Sequence, residues 1–342
     1  MQKRLLVLAA GILQITVIKK AKVMGYYVIA VDGDPNARGF NYADKAICAD
    51  ITDEEVMLEI AREEHVDGVI HPCSEVSMNV MGRINEELGL AGITKEQAIR
   101  ATNKHLMREA FEKGNAPSPK SIPTTSAEDA WNHLQNDFAV DGILKPSRNS
   151  GSRGIAKVTC DMPKEDFVKA YDIALEESRD KSVLIEQFIE GPEFSIEIIV
   201  WNGKVNVLAV TDKKTTEAPH FVELGHNQPS CFSSDEVETL KAAAVDVALG
   251  IEPDLSVKKT PMAACIRYFC PKPGKLVSIS NVKVLDNPHV YQKKIYVQEG
   301  DMIPEVTSSL CRSGHVIVTE ETPQKAIALA EKLISEVKFE TE

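Results

Sequence analysis

Short apolar runs alternate with amphipathic stretches along the first third of the chain. Apolar runs of strand length occupy residues 3–10, 26–34, 45–50 and 66–72. Residues 11–24 and 53–65 instead repeat their hydrophobic positions at helical spacing, and Gly25 ends the first of these stretches. Strands that alternate with helices in this way predict a parallel sheet whose two faces are covered.

The pattern changes beyond this first unit. Residues 94–113 predict one helix, and the Pro- and Gly-rich segment 114–123 predicts a hinge or linker. Two strands, 142–147 and 155–160, flank a loop rich in Gly and Ser, and a hairpin over 194–214 turns at Asn202–Gly203. Further predicted elements are helices at 164–179, 234–250 and 323–338, a strand at 182–189, and several short strands after residue 258.

Composition narrows the class of protein. The chain has 342 residues, enough for two or three domains, and a formal net charge of −12, which disfavours binding to nucleic acid or anionic membranes. No apolar run reaches the length of a membrane span. The basic, apolar N-terminus resembles a signal peptide but continues into a helix and a strand, so we expect it to be the first strand of the fold. Seven cysteines without a CxxC spacing favour reduced thiols and a cytoplasmic location.

The loop between the two strands reads KPSRNSGSRG over residues 145–154. Phosphate binding needs backbone N–H groups that are free to converge and fixed positive charge nearby. Gly151 and Gly154 provide the freedom, and Lys145 provides the charge. The hydroxyl donors are Ser147, Ser150 and Ser152. On its own, the loop fits a phosphate site and a plain surface turn equally well, and it is not a Walker A motif.

Further residues along the chain are compatible with a nucleotide. Lys104 precedes the Pro-rich turn, although a solvated helix charge explains it as well. Glu186 ends a strongly apolar strand, where a carboxylate needs a partner such as a ribose hydroxyl or an adenine amine. The backbone from Gln187 to Ile189 can pair with an adenine edge, and Glu193 precedes the next strand.

Taken together, Lys104, the segment ILKPSRNSGSRGI and the segment LIEQFIEGPEFSIE resemble the ATP-grasp superfamily in order and spacing. The tail from AACIRYFCPKPGKLVSI onward is similar to the C-terminal domain of the superfamily's carboxylate–amine ligase branch. L-amino-acid ligases belong to that branch. The branch is related to biotin carboxylase and to phosphoribosylglycinamide-forming enzymes. The resemblance implies an α/β fold that is α+β in its ATP-grasp part. Its domains would be a Rossmann-like pre-ATP-grasp domain over 1–95, a truncated ATP-grasp region over 96–257 and a small C-terminal α+β domain over 258–342.

The resemblance also implies roles for residues. Lys104 and Lys145 would contact the nucleotide phosphates, and residues 150–154 would close over them. Glu186 and the backbone of Gln187 and Ile189 would hold adenine, and Glu193 would bind ribose. Three candidate catalytic residues would contact the substrate: Glu223, His226 and Arg312, the last through a carboxylate. Without the resemblance, a histidine in a turn is an equally good interpretation of His226.

The family function would be an ADP-forming ligase that uses ATP and Mg²⁺ to join a carboxylate to an amine, or to a thiol, through an acylphosphate. Family members commonly form homodimers. Relatives hold Mg²⁺ with a Glu on one strand and a Glu-x-Asn on the next, and this pattern is missing after Glu193. The helix that ends at Gly250 runs directly into IEPDLSVKKTP, as though the metal-binding strands had been removed, and Glu252 and Asp254 lie in a turn. A natural deletion, a sequence artefact and a shortened variant all fit this join.

Two other functions compete with an active ligase. One is a nucleotide-binding or regulatory protein that is catalytically silent because the metal ligands are missing. The other is a Rossmann dehydrogenase, suggested by Asp32 after the second strand; the first turn, AAGILQI, has one glycine where G-x-G-x-x-G is needed, which disfavours it. Ser74 and Glu75 follow the fourth strand, where they fit a substrate contact and a helix cap equally well.

Overall fold

The computed structural model describes residues 2–138, 140–191, 193–228 and 262–342. These residues divide into two compact units. One holds residues 2–110 and 199–206, and the other holds the remaining described residues. No helix in the described ranges is long and apolar enough to cross a bilayer.

The N-terminal sheet is the parallel sheet that the sequence predicts. Its strands run in the order β3-β2-β1-β4, with β1 paired in parallel to both β2 and β4. The elements are β1 Arg4–Leu8, α1 Ile15–Val23, β2 Tyr27–Asp32, β3 Lys45–Cys48, α2 Glu54–Glu63, β4 Gly68–Ile70, α3 Met78–Leu88, α4 Lys95–Thr102 and α5 Lys104–Lys113.

Strand β1 is buried on both faces because its side chains alternate between two hydrophobic clusters. Leu5 and Val7 pack with α1 residues on one face, and Leu6 and Leu8 pack with residues of α2 and α3 on the other. At the end of β2, Asp32 accepts the N–H groups of Ala10 (2.7 Å) and Asp34 (2.9 Å). Its carboxylate therefore shapes the turn that follows the strand.

The single helix expected over 94–113 is wrong, because the chain forms two helices that meet at Asn103. Asn103 has an extended backbone (φ −111°, ψ 114°), and its side-chain oxygen accepts the N–H of Leu106 at 3.0 Å. Asparagine is favoured at helix starts for this reason. The same residue thus ends α4 and caps α5.

A four-stranded antiparallel sheet carries the loop over 145–154. Its order is β5-β8-β6-β7, and β6 pairs with both β8 and β7. The elements are β5 Ser121–Thr124, α6 Ala127–Asn136, β6 Gly142–Pro146, β7 Ala156–Val158, α7 Lys164–Glu177 and β8 Val183–Gln187. Helices α6 and α7 bury one face, with Leu134, Leu144 and Phe167 fully enclosed. The hairpin over 142–160 is confirmed, whereas α6 was not predicted and β5 occupies the end of the expected linker.

A six-stranded sheet holds most of the rest, in the order β14-β16-β12-β11-β10-β9. Its strands are β9 Glu193–Trp201, β10 Lys204–Thr215, β11 Glu223–Gln228, β12 Ala263–Phe269, β14 Val290–Ile295 and β16 Gly314–Glu320. A three-stranded sheet is built from β13 Gly274–Ser280, β15 Met302–Ile303 and β17 Lys338–Thr341. Helix α8, Pro323–Glu336, packs Ala326, Ala330 and Leu333 against one face of the large sheet.

Strands β11 and β12 pair directly, with Gly225 opposite Arg267 and His226 opposite Ile266. Residues 223–228 and 263–269 are therefore neighbours in one continuous sheet. The predicted helix over 234–250, the join after Gly250, and Glu252 and Asp254 lie outside the described residues.

Candidate active site

Lys145 and Glu186 form an ion pair inside the four-stranded sheet. Lys145 Nζ lies 2.6 Å from Glu186 Oε2, and the Glu186 residue is fully buried. Adjacent strands bring them together, since Ile143 of β6 is opposite Glu186 of β8. The buried carboxylate thus has a protein partner in addition to any ligand that it meets.

The loop after β6 begins with a buried serine. The Ser147 N–H donates to the Ser182 carbonyl at 2.9 Å, and only 1% of the residue is exposed. Its hydroxyl is enclosed without a hydrogen-bond partner among the described residues. Since a buried hydroxyl is costly to leave unpaired, Ser147 is a candidate donor to a bound anion.

Gly151 and Gly154 give the loop its shape through left-handed backbone conformations, with φ of +71° and +66°. A Cβ on Gly154 would lie 2.9 Å from both Pro146 Cγ and Glu177 Cβ. Ser152 is also left-handed, with φ +57°. Ser150 is exposed beside them, and its N–H donates to Asn149 Oδ1 at 2.9 Å. Glycine is therefore required at 154 for packing as well as for conformation.

Two backbone N–H groups in the segment after β8 already donate hydrogen bonds to protein carbonyls. The Gln187 N–H donates to the Lys120 carbonyl at 2.9 Å, and the Phe188 N–H donates to the Asp141 carbonyl at 2.8 Å. Within the described chain, no protein acceptor meets the Ile189 N–H, and the Ile189 side chain is exposed. Of the three amides proposed to face adenine, that of Ile189 is the one left to pair.

Lys213 of β10 sits between two acidic side chains of the large sheet. Its Nζ lies 3.0 Å from Glu193 Oε2 and 3.3 Å from Glu223 Oε1. Burial by itself would lower the pKa of Lys213, but the hydrogen bond to Glu193 and the charges of Glu193 and Glu223 raise it above its usual value. Sequence reasoning missed Lys213, because counting outward from a two-residue turn at Asn202–Gly203 places Asp212, and not Lys213, opposite Glu193.

His226 and Arg312 extend this group, which we call the acid–base cluster (Glu193, Lys213, Glu223, His226 and Arg312). His226 Nε2 lies 3.8 Å from Glu223 Oε2. Burial lowers the pKa of His226; Lys213 and Arg312 lower it further, and Glu223 opposes them. The imidazole is therefore neutral at pH 7.

Arg312 is held by three contacts. Its Nε donates to the Ser309 carbonyl at 2.8 Å, Nη1 donates to the Glu223 carbonyl at 3.4 Å, and the guanidinium lies 3.8 Å from the centre of the Tyr268 ring. Stacking on an aromatic ring and bonding to carbonyls both suit a planar guanidinium. The cluster thus unites all three predicted catalytic residues with Glu193.

The described residues hold no preformed cluster of metal ligands. Among them, no group of three or more His, Cys, Asp or Glu side chains could hold a metal ion. Glu193 and Glu223 both face the Lys213 ammonium, which neutralises the carboxylates that a divalent cation would require.

Lys104, Ser74 and Glu75 lie in the N-terminal unit. Lys104 is the first residue of α5. The Ser74 hydroxyl accepts the Val76 N–H at 3.4 Å, and the Glu75 carbonyl accepts the Met78 N–H at 3.3 Å. Ser74 and Glu75 therefore shape the turn that leads into α3.

Comparison with known families agrees with this geometry. A family described as "ATP-grasp domain" matches residues 138–270. These residues include the loop over 145–154, which we call the glycine loop, the Lys145–Glu186 pair and most of the acid–base cluster. A family described as "L-amino acid ligase C-terminal domain 2" matches residues 267–342. Both matches confirm the expected resemblance.

Individual proteins give the same result. Formate-dependent phosphoribosylglycinamide formyltransferase of Prochlorococcus marinus is 26% identical over 191 residues, which are 55% of this chain and 48% of that protein. Alanine–anticapsin ligase of Bacillus subtilis is 26% identical over 213 residues, which are 56% of this chain and 44% of that protein. The chain thus spans about half the length of the curated relatives it matches.

The fold resembles the crystal structure of an L-amino acid ligase from Bacillus licheniformis. The two agree with a TM-score of 0.81 at 14% identity, over 100% of this chain and 99% of that chain. The shared architecture has an N-terminal parallel-sheet domain, antiparallel ATP-grasp sheets and a C-terminal ligase-type domain. The chain is a protein of the ATP-grasp superfamily, related to the L-amino acid ligases.

Proposed function

We propose that the protein binds ATP at the glycine loop and joins a carboxylate to an amine, releasing ADP and phosphate. The observation that carries this proposal is the ion pair between Lys145 and the buried Glu186. Lys145 lies at the end of β6, directly before a loop with two left-handed glycines and a buried Ser147 hydroxyl that meets no partner among the described residues. A nucleotide requires a cation and hydrogen-bond donors for its phosphates and a polar group for its base.

In this proposal, Lys145 and the Ser147 hydroxyl bind phosphate oxygens, as do the N–H groups of residues 150–154. Glu186 accepts the adenine amine, and the Ile189 N–H donates to the ring edge. Glu193 binds the ribose hydroxyls while keeping its contact with Lys213. Lys104 adds a second cation to the phosphates.

The acid–base cluster supplies the substrate end. Arg312 keeps N–H groups beyond those used by Ser309 and Glu223, so it can bind a substrate carboxylate. An ammonium has three N–H donors, and two of those on Lys213 face Glu193 and Glu223. The third is suited to an anion formed during the reaction. Neutral His226 is suited to take a proton from the attacking amine.

The proposed reaction has two steps. A carboxylate oxygen attacks the γ-phosphorus of ATP, the bond to the β-phosphate oxygen breaks, and ADP leaves. The amine nitrogen then attacks the carbonyl carbon of the acylphosphate, the carbon–oxygen bond breaks, and phosphate leaves as the amine loses a proton. A thiol acceptor would follow the same course.

An ADP-release assay tests the ligase proposal. The protein is supplied with ATP, Mg²⁺ and pairs of L-amino acids, and we expect equal amounts of ADP, phosphate and condensed product. The double variant K145M/E186Q removes both charges of the buried pair, which avoids leaving one of them unpaired, and should abolish release. Release that needs no carboxylate, or that survives in the double variant, would contradict the proposal.

A second function, nucleotide binding without turnover, is favoured by one observation. The Glu and Glu-x-Asn pattern with which relatives hold Mg²⁺ is missing after Glu193, and phosphoryl transfer depends heavily on electrostatic stabilisation. Two results together would identify this second function. ATP would bind as tightly in EDTA as in Mg²⁺. No ADP would be released from any mixture of an amine with an amino acid, a peptide or another carboxylate metabolite.

A further inference from the structure

The glycine loop is bonded to two segments that lie far from it in sequence. The Ser309 N–H donates to the Gly151 carbonyl at 3.1 Å, and the Ser152 hydroxyl donates to the Phe221 carbonyl at 3.1 Å. Just beyond the loop, the Lys157 N–H donates to the Pro219 carbonyl at 3.3 Å. Both ends of the loop's second half are thus fixed to other parts of the chain.

These contacts use groups that a phosphate would need. The Ser152 hydroxyl proton is directed at Phe221, the Ser150 N–H is directed at Asn149 Oδ1, and Arg153 Nε donates to the Ser150 carbonyl at 3.0 Å. An anion that binds here has to replace protein acceptors. The loop therefore has to leave this arrangement before its donors can turn to a phosphate.

The segment 308–312, which we call the strap, carries the Ser309 donor. It folds into a short 3-10 helix over Ser309–Cys311, in which the Cys311 N–H donates to the Ser308 carbonyl at 3.1 Å. Arg312 anchors its end by donating to the carbonyls of Ser309 and Glu223. One short segment thus contacts both the glycine loop and the acid–base cluster.

We propose that the strap is an autoinhibitory contact that holds the glycine loop shut and has to release it before a nucleotide can bind. This rests on the proposed nucleotide site. Because Arg312 is part of the strap, opening of the loop is coupled to the position of the arginine that receives the substrate carboxylate. A carboxylate on Arg312 would then change how readily the loop opens.

Two substitutions at Ser309 separate the loss of its N–H group from the loss of its side chain. Ser309→Pro deletes the N–H that bonds Gly151 and little else, because Ser309 begins the 3-10 helix, where the φ of proline fits. Ser308 before it is extended (φ −154°, ψ 169°), as a residue before proline prefers. Ser309→Ala keeps the N–H and removes only the side chain.

Limited trypsin digestion tests the contact in protein without added nucleotide. One hydrogen bond contributes about 0.5–1.5 kcal/mol, so Ser309→Pro should speed cleavage after Arg153 roughly 2- to 12-fold. Ser309→Ala should be cleaved at the rate of the unmodified protein. Equal rates for all three, with unchanged melting temperatures, would overturn the strap.

Titration with a fluorescent ATP analogue tests inhibition. If the strap competes with binding, Ser309→Pro should bind the analogue roughly 2- to 12-fold more tightly, because more of the protein is already open. Weaker or unchanged binding would overturn the inhibitory role. Absence of binding in every variant, together with faster cleavage of Ser309→Pro, would instead refute the nucleotide site and leave the contact standing.

Hydrogen exchange of the unmodified protein covers the case in which Ser309→Pro does not fold. The Ser309 amide should be protected without nucleotide and should lose protection when the analogue saturates the protein. Unchanged or greater protection on saturation would contradict the strap.

Discussion

Lys213 holds the centre of the acid–base cluster. Two carboxylates that share one partner repel each other, and the Lys213 ammonium between Glu193 and Glu223 offsets that repulsion. Its charge also reaches His226, whose pKa it helps to lower. One lysine thus contacts both carboxylates and adds to the effect of burial on the pKa of His226.

Lys213→Met should raise the pKa of His226. Burial would still lower this pKa, but the lowering contribution of Lys213 would be lost, and the opposing charge of Glu223 would act more strongly. NMR titration of the His226 ring protons measures the change. Lys214→Met is the matched control, because Lys214 pairs with Glu331 at 2.8 Å. An unchanged pKa in Lys213→Met, or equal shifts in both variants, would contradict this assignment.

At the scale of elements, the glycine loop is shaped by the helix beside it. A Cβ added to Gly154 would meet Pro146 of β6 and both Ala174 and Glu177 of α7, so the helix and the strand limit where the loop can return to β7. From its serines and glycines alone, the loop fitted a phosphate site and a plain surface turn equally well. Packing against α7 gives it one defined path.

Gly154→Ala should destabilise the protein more than Gly89→Ala. Both glycines are left-handed, with φ of +66° and +63°, but a Cβ on Gly89 meets no atom of the described residues within 4 Å. The backbone cost of about 1 kcal/mol is therefore shared, and overpacking adds roughly 1–3 kcal/mol at Gly154. Urea unfolding measures both variants, and equal losses would show that α7 does not constrain the loop.

His71 links two elements of the N-terminal unit. Its Nδ1 lies 3.0 Å from the Leu8 carbonyl, and its Nε2 lies 3.3 Å from the Ser77 nitrogen. The carbonyl can only accept and the amide can only donate, so Nδ1 carries the proton and Nε2 accepts. The neutral ring thus joins the end of β1 to the start of α3.

Acid should weaken this link. Burial lowers the pKa of His71 in the folded protein, opposed by the bond to Leu8, so the unfolded chain binds the proton more readily. The free energy of unfolding should therefore fall as pH drops below about 6.5, the ordinary histidine value. His226 and His315, whose pKa values are also lowered, act in the same direction.

Urea unfolding between pH 7.5 and pH 5.5 measures this slope, and His71→Gln should reduce it without abolishing it. An unchanged slope in His71→Gln would show that His71 does not carry the effect.

At the scale of the molecule, local patterns predicted the parallel sheet, the hairpin around the glycine loop and the C-terminal helix. The strands and helices of which these are built are each encoded by residues close in sequence. The direct pairing of β11 with β12 had no local signal, and neither did the Lys145–Glu186 pair, whose members are 41 positions apart. The Asn103 break was missed because asparagine is tolerated inside a helical pattern and its cap depends on backbone geometry.

The charge of the whole chain makes local charge decisive. A net charge of −12 repels a nucleotide at long range, so binding depends on the few cations near the loop. Lys145 is the one that the fold places beside a buried carboxylate. Affinity for ATP should therefore depend strongly on this pair.

Calorimetric titration with ATP, in EDTA and then in Mg²⁺, tests the nucleotide site most directly. We predict one site per chain in the unmodified protein. In K145M/E186Q, the loss of charge-assisted hydrogen bonds of about 1.5–3 kcal/mol should weaken binding roughly 10- to 150-fold. No heat of binding to the unmodified protein, or equal affinity in the double variant, would contradict the account.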